Sequence, residues 1–289
     1  MDEIDLQIAK ILLKNCRTPY RKIADELNLS LNAIYKRIKN MIEKGIIQTF
    51  TARPSLIALN GIEVLIYGKT IGKDTSSISQ ELGESENIYF VGVAGGNILY
   101  IHGYLHDISE LNDYIIFVSK IGKLENIISL IKKYPQRINP VKLIELDFRI
   151  LNSLKVDGKK STKDISEEIQ VSSKTIQKYI KKMIEYDLVE FSINFAPQTQ
   201  TSQFHIYLHR ESDYNQEFKR LEEKYRNNIL YIQQYSNVPN LIMMTALTRT
   251  NDEAANLYAK LQKEGFKEIL HNLFINGFFF STWRECNTN

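Results

Sequence analysis

The chain has 289 residues, which is more than one compact core usually needs, so its length predicts two or more domains. A hydrophobic fraction of 43% and a charged fraction of 25% are those of an ordinary folded protein and exclude long disordered tracts. The net charge of +3 is too small to indicate nucleic-acid binding by itself, so any basic surface must be local.

The N-terminus and the cysteines exclude further classes. There is no uninterrupted apolar run of about 18 residues, and the first residues, MDEIDLQ, are acidic where a signal peptide is basic and then apolar. We therefore expect a cytoplasmic protein with no membrane partner. Cys16 and Cys286 lie near opposite ends of the chain, so we expect free thiols, with no disulfide and no thiolate metal site.

Two helices are predicted first. The first helix follows an acidic turn, ends near Lys14 and has an apolar stripe at helical spacing, formed by Ile4, Ile8, Ile11 and Leu12. The second is predicted to have Thr18 as its N-cap and Pro19 as its first residue, and to run to about Leu27. Two helices and a third after a short turn predict a helix-turn-helix.

The third helix has Ser30 as its predicted N-cap and Gly45 as the left-handed residue that ends it. Its predicted buried face consists of Ile34, Ile38, Met41 and Ile42. Its candidate DNA-binding residues are Asn32, Tyr35, Lys36, Arg37 and Lys39. After Gly45 the sequence IIQTFTARP is rich in β-forming residues, as a wing is.

A second type of domain follows in the chain. Residues 62–71, 86–93, 97–105 and 124–133 have strand composition, and 76–85 and 109–122 have helical spacing. The resulting order is βαββαβ, with a glycine-rich hairpin at Ala94-Gly95-Gly96-Asn97 between the second and third strands. Residues 199–289 repeat the order, with Asn237-Val238-Pro239-Asn240 as the hairpin.

The helix-turn-helix is also repeated. LSLNAIYKRIKNMIEKGII at 29–47 resembles VSSKTIQKYIKKMIEYDLV at 171–189, and residues 5–49 align with 147–191 without a gap, which indicates an internal duplication. The second buried face is predicted to be Ile176, Ile180, Met183 and Ile184. Its candidate DNA-binding residues are Lys174, Gln177, Lys178 and Lys181.

A cationic stripe is thus present on the third helix of both copies. Such a stripe fits the major groove, where lysine meets phosphates or guanine and Asn or Gln pairs with adenine. The alternative is a solvated helix face that is rich in lysine only for solubility. Because both copies retain the stripe after a serine-capped turn, we favour DNA binding.

The first copy resembles the winged helix-turn-helix of Lrp/AsnC transcriptional regulators across residues 2–55. The matching residues are Asp5, Ile11-Leu12, Asn15, Arg17, Ile23-Ala24, Ser30, Arg37-Ile38 and Gly45-Ile46-Ile47. The second copy departs from the pattern, with Lys159, Tyr179 and Asp187 at the positions of Arg17, Arg37 and Gly45. The resemblance implies a regulator with double-stranded DNA as its partner and ferredoxin-like domains that sense effectors and form oligomers.

We therefore predict an α+β chain in which a winged helix-turn-helix and a ferredoxin-like βαββαβ domain each occur twice. The predicted boundaries are 1–55 and 141–198 for the winged helices, and 56–140 and 199–289 for the sensing domains. This is two fused protomers, an internal pseudo-dimer. Two chains are expected to form a homodimer if the C-terminal run NLFINGFFFSTW offers Phe278, Phe280 or Trp283 to an interface; burial within its own sheet is the favoured alternative.

The resemblance also implies a small-molecule effector site at the hairpin, here Gly95, Gly96 and Asn97. Ile98 and Leu99 stand where an acidic residue is usual, and the alternative is that the glycines only make the turn.

Catalytic, cofactor and metal sites are not expected. His102 with His106, and His205 with His209, lie in predicted strands, where four residues span about 13 Å, too far to share one ion. Siroheme decarboxylases look like the same fused fold, but their His and Arg near the hairpin have no counterpart here; a Soret band on adding siroheme would reveal that activity. A scaffold that has lost DNA binding is a third class.

Overall fold

A computed structural model describes residues 1–134, 141–196, 200–248 and 250–286. The chain divides into two compact units, and each draws on both halves of the sequence. The winged-helix unit takes its described residues from 1–60, 137–198 and 283–289, and the sheet unit takes them from 61–136 and 199–282. Like domains are therefore grouped together. The boundaries predicted after 140 and 198 lie outside the described residues.

The helices and strands follow the predicted order. The first half contains α1 (Glu3–Lys14), α2 (Tyr20–Glu26), α3 (Leu31–Glu43), β1 (Ile47–Pro54), α4 (Leu56–Leu59), β2 (Ile62–Thr70), α5 (Thr75–Leu82), β3 (Ile88–Ala94), β4 (Ile98–Leu105), α6 (Leu111–Gly122) and β5 (Leu124–Ile131). The second half contains α7 (Glu145–Leu154), α8 (Thr162–Ile169), α9 (Ser173–Glu185), β6 (Val189–Phe195), β7 (Gln200–Tyr207), α10 (Tyr214–Lys224), β8 (Ile229–Gln234), β9 (Leu241–Thr248), α11 (Asn251–Gln262), β10 (Glu268–Phe279) and α12 (Trp283–Cys286). The predicted α+β class is confirmed.

Helix caps explain where the winged-helix elements begin and end. The Ser30 hydroxyl accepts a hydrogen bond from the Ala33 amide at 3.1 Å, and Ser172 caps α9 in the same way. Gly45 has a φ of +67°, as predicted for the residue after α3. The prediction for Thr18 is wrong, because α2 begins at Tyr20 with Pro19 before it, and the Thr18 hydroxyl donates to the Asn15 carbonyl instead.

The predicted buried faces of α3 and α9 need one correction each. Their first three members are buried, but Ile42 and Ile184 are 43% and 38% exposed. On a helix with about 100° per residue, Ile42 lies roughly 80° around the axis from Ile34, at the edge of the buried stripe. Ile184 stands at the equivalent position in α9, so the repeats share this departure.

The wing strand of each repeat pairs with the wing strand of the other. β1 and β6 form a two-stranded antiparallel sheet with Ala52 opposite Phe191. A lone strand is not stable in water, and this pairing satisfies the backbone groups that the two strands turn toward each other. The two winged helices are therefore joined by a shared sheet.

The sheet unit contains one eight-stranded antiparallel sheet in the order β5-β2-β4-β3-β10-β7-β9-β8. Each half has its own core between sheet and helices, with Leu82 and Val118 in one and Leu221 and Leu261 in the other. A third core joins the opposite faces of the two halves and includes Tyr100 and Met243.

Strand β10 is longer than its counterpart β5 and links the two halves. Its first part pairs with β7, and residues from Phe274 to Phe279 pair with β3. Phe278 and Phe280 pack against the core of the first half rather than within their own half. Trp283, only 3% exposed, belongs to the winged-helix unit.

Within the described residues, no helix has the length and apolar character required to cross a membrane.

Candidate nucleic-acid interface

The predicted base-reading and phosphate-binding residues of the first repeat lie on the open face of α3. Asn32, Lys36 and Lys39 are exposed, and Tyr35 is 54% exposed. Lys39 has only a loose ion pair to Glu43, at 3.7 Å with both side chains in solvent, which is a weak interaction. The buried side of α3 packs on α1 and α2, so these four side chains are free to face a partner.

Arg37 differs from the exposed lysines of α3 because it forms close ion pairs with two carboxylates of the protein. Its Nη1 atom lies 2.7 Å from Asp2 Oδ2 and 2.7 Å from Asp5 Oδ1. Hydrogen bonds to these two carboxylates raise the pKa of the guanidinium. Asp2 also caps α1, so Arg37 connects α3 to the N-terminus of α1.

The second repeat makes the same connection with different residues. Tyr179 stands where Arg37 stands in the first repeat, and Lys182 supplies the cation, with Nζ 2.7 Å from Asp147 Oδ2. The Lys182 ammonium also lies 4.8 Å from the centre of the Tyr179 ring. The departure at Tyr179 is thus a compensated exchange, which preserves the packing of α9 on α7.

Replacing Lys182 with methionine should lower the free energy of unfolding by about 3 kcal/mol, because Asp147 is fully buried and loses its cation. Lys181→Met removes the same charge from the exposed neighbour and should stay within about 0.5 kcal/mol of the wild type. Urea denaturation of both variants measures the difference. Equal stabilities would show that the ion pair contributes nothing.

The predicted contacts of α9 are all exposed. Lys174, Gln177, Lys178 and Lys181 share the face away from its buried residues. No acidic residue lies in its first turn, so the N-terminal end of α9 is favourable for a phosphate.

Sequence reasoning missed a cluster beneath Tyr35. The Tyr20 ring lies 4.9 Å from the Tyr35 ring in an edge-to-face arrangement, and Lys159 Nζ lies 3.8 Å from the centre of Tyr20. Lys159 belongs to the second repeat. The one sequence feature that singled out Lys159 was its alignment with Arg17 of the first repeat.

The predicted effector residues form a tight turn between β3 and β4. Gly96 and Asn97 have φ values of +73° and +61°, and the space where a Cβ of Gly95 or Gly96 would lie is open. The left-handed turn accounts for glycine at position 96.

The four histidines that sequence analysis considered have separate partners. His102 Nδ1 lies 3.2 Å from the Tyr89 hydroxyl, and His205 Nε2 lies 2.9 Å from the Tyr100 hydroxyl. His106 pairs with Glu110, and His209 faces the Gly265 carbonyl. Burial lowers the pKa of both His102 and His205 to about 4, so each is neutral at pH 7.

A buried carboxylate in the sheet unit was also missed. Burial by itself raises the pKa of Glu63, but Lys132 at 2.6 Å and hydroxyl donors hold it below its usual value. The donors are Tyr134 at 2.8 Å and Tyr89 at 2.9 Å. Because Glu63 lies in β2, Tyr89 in β3, and Lys132 and Tyr134 just after β5, no sequence pattern marked the network.

The fold and the exposed cationic helices define a winged helix-turn-helix protein of double length. The family model for winged helix-turn-helix DNA-binding matches residues 1–48 and 145–190, which are the two repeats. HTH-type transcriptional regulator LysM of Sulfurisphaera tokodaii is 37% identical over 123 residues, which are 38% of this chain and 86% of that protein. HTH-type transcriptional regulator LrpA of Pyrococcus horikoshii is 30% identical over 135 residues, covering 44% and 90%.

The chain belongs to the Lrp/AsnC family of transcriptional regulators. Each of these relatives aligns with less than half of it, as expected for a duplicated chain. The crystal structure of the siroheme decarboxylase NirDL has a TM-score of 0.64 and covers 97% of this chain and 93% of that chain. At 14% identity, this similarity establishes the shared fold alone.

Proposed function

We propose that the chain is a sequence-specific regulator that binds duplex DNA with α3 and α9 as two unlike recognition helices. The observation that carries the proposal is that both helices present lysines on the face opposite their buried residues. Family membership supports DNA as the partner. We accordingly expect the chain to act in the cytoplasm, where its DNA partner lies.

The exposed residues divide into two roles. Lysine is a point charge that neutralises phosphate, so Lys36, Lys39, Lys178 and Lys181 supply affinity without sequence information. Asn32 and Tyr35 lie in the N-terminal half of α3, the part that meets base edges in helix-turn-helix complexes. Lys174 and Gln177 hold the equivalent positions in α9.

Asn32→Ala should relax the selected consensus at one position of the site, because an amide that pairs with a base contributes about 1–3 kcal/mol of discrimination. In-vitro selection from random duplexes, followed by titration of single-base variants, measures the change. Asn40→Ala is the matched control, since Asn40 is exposed on the same helix about 12 Å further along its axis. An unchanged consensus for Asn32→Ala would remove this residue from the reading face.

Homodimerisation of the chain remains part of this proposal. Effector binding at Gly95, Gly96 and Asn97 is a separate part of it. The turn geometry explains its glycine without a ligand, so the support for an effector is the family pattern alone. The named relatives are transcriptional regulators, which favours a regulator over a siroheme decarboxylase-like enzyme. The exposed lysines of both helices favour it over a scaffold that no longer binds DNA.

A further inference from the structure

Tyr20 stands between a residue of the first recognition helix and a residue of the other repeat. On one side its ring meets Tyr35 at 4.9 Å, with 79° between the ring planes. On the other side Lys159 Nζ lies 3.8 Å from the centre of the Tyr20 ring and 5.2 Å from that of Phe50. Cation–π contacts of this length are stabilising, and more so when the ammonium is partly buried.

The backbone around Lys159 is fixed on the first repeat. The Gly158 amide donates to the Phe50 carbonyl at 2.9 Å, and Arg17 Nη1 donates to the Gly158 carbonyl at 2.7 Å. A Cβ on Gly158 would lie 2.6 Å from the Thr51 carbonyl carbon, so the approach requires glycine. The backbone at Lys159 is therefore held on the first repeat by contacts that do not involve Tyr20.

Tyr35, by contrast, is 54% exposed, so packing against the protein restricts only part of its side chain. An exposed aromatic side chain loses rotamer freedom when it binds a base, and a neighbouring ring that already restricts it reduces this cost. Edge-to-face contact with Tyr20 supplies that restriction.

The first repeat has this arrangement of two rings and a lysine, and the second repeat does not. Thr162 and Gln177 stand in the second repeat where Tyr20 and Tyr35 stand in the first, so no ring pair can form there. Arg17, the counterpart of Lys159, donates to the carbonyls of Gly158 and Lys160 and lies 5.6 Å from the Phe191 ring.

We propose that Lys159 of the second winged helix is a positioning residue for base recognition by the first, because it fixes Tyr20 and, through Tyr20, the ring of Tyr35. This inference rests on the proposed function. It makes the sequence preference of one half-site depend on a residue of the other repeat.

The test is in-vitro selection and titration with the full chain carrying Lys159→Met, which keeps the length of the side chain and removes its charge. The α3 half-site is defined as the half whose consensus changes in Tyr35→Ala. Lys159→Met should reduce discrimination there by about threefold to tenfold and leave the other half-site unchanged. Lys159→Arg should restore it, and Lys163→Met, an exposed lysine of the same repeat, should have no effect on either half.

Two further measurements separate positioning from direct contact. In a Tyr35→Ala background, Lys159→Met should have no additional effect on the α3 half-site. The dependence of affinity on salt should also keep its slope, whereas loss of a phosphate contact would reduce the slope by about 0.9. Tyr20→Leu removes the ring between Lys159 and Tyr35 and should show the same loss of discrimination. It replaces Lys159→Met in the test if that variant does not fold.

The outcomes distinguish the inference from the proposed function. If the wild-type chain selects no consensus, the proposed function is wrong and the inference falls with it. If the wild type selects a site and both Lys159→Met and Tyr20→Leu select the same site with the same discrimination, only the inference is wrong. A reduced salt slope for Lys159→Met would make Lys159 a phosphate contact and overturn its positioning role.

Discussion

Replacing Lys36 and Lys39 with alanine is expected to weaken binding to specific and random duplexes alike. Each phosphate that a lysine neutralises releases counterions, so the log–log slope of affinity against salt should become shallower by about 0.9 per contact, or roughly 1.8 for both lysines. The same change at Lys178 and Lys181 should have a similar effect if α9 also binds DNA. Mobility-shift titrations at several salt concentrations measure both quantities.

The control for this experiment is a lysine pair in the sheet unit. Lys69 and Lys73 are exposed, and their replacement removes the same net charge from another part of the chain. That variant should keep the wild-type slope. If Lys36→Ala with Lys39→Ala binds as tightly as the control, α3 is not the DNA-binding helix.

Exchanging one half-site for an inverted copy of the other is expected to reduce affinity by about tenfold to a hundredfold. Lys174 and Gln177 in α9 stand where Asn32 and Tyr35 stand in α3, so we expect the two helices to read different bases. Each mismatched base pair typically costs about 1–3 kcal/mol. We therefore expect a site of two unlike halves about one helical turn apart, where a regulator made of identical chains selects a palindrome.

Light-scattering mass is needed to interpret the selected site. One chain on an asymmetric site, or two chains on that site and its inverted copy, agrees with the pseudo-dimer. A simple palindrome bound by a single chain contradicts it, because unlike helices would then have read like sequences.

Duplication within one chain allows the two copies to differ while they remain complementary. Arg37 with Asp5 in the first copy corresponds to Lys182 with Asp147 in the second. The sheet unit shows the same divergence at its two equivalent junctions. β10 pairs with β3 from Phe274 to Phe279, whereas the described residues at the β5 and β8 junction form an isolated bridge between Lys132 and Tyr235, with Asn237 side-chain hydrogen bonds beside it. In a dimer of identical chains, the same residues would have to form both of the equivalent contacts.

The sequence by itself determined the elements and their repetition. Serine caps, the left-handed Gly45 and the spacing of Ile34, Ile38 and Met41 are local signals, and they correctly predicted α3 and its exposed face. The same signals at Ser172 and Ile176 predicted α9. Internal similarity between 5–49 and 147–191 gave the duplication, because it needs only a comparison of the chain with itself.

Only the tertiary structure decided which residues of the two repeats meet. The pairing of β1 with β6, the contact of Lys159 with Tyr20, and the extension of β10 to β3 each join residues far apart in sequence. Strand alternation and helical spacing show which face of an element is apolar, but they carry no information about its partner. The partner is fixed by packing and backbone hydrogen bonding across the whole unit, and a cation on an aromatic ring leaves no periodic trace in the sequence.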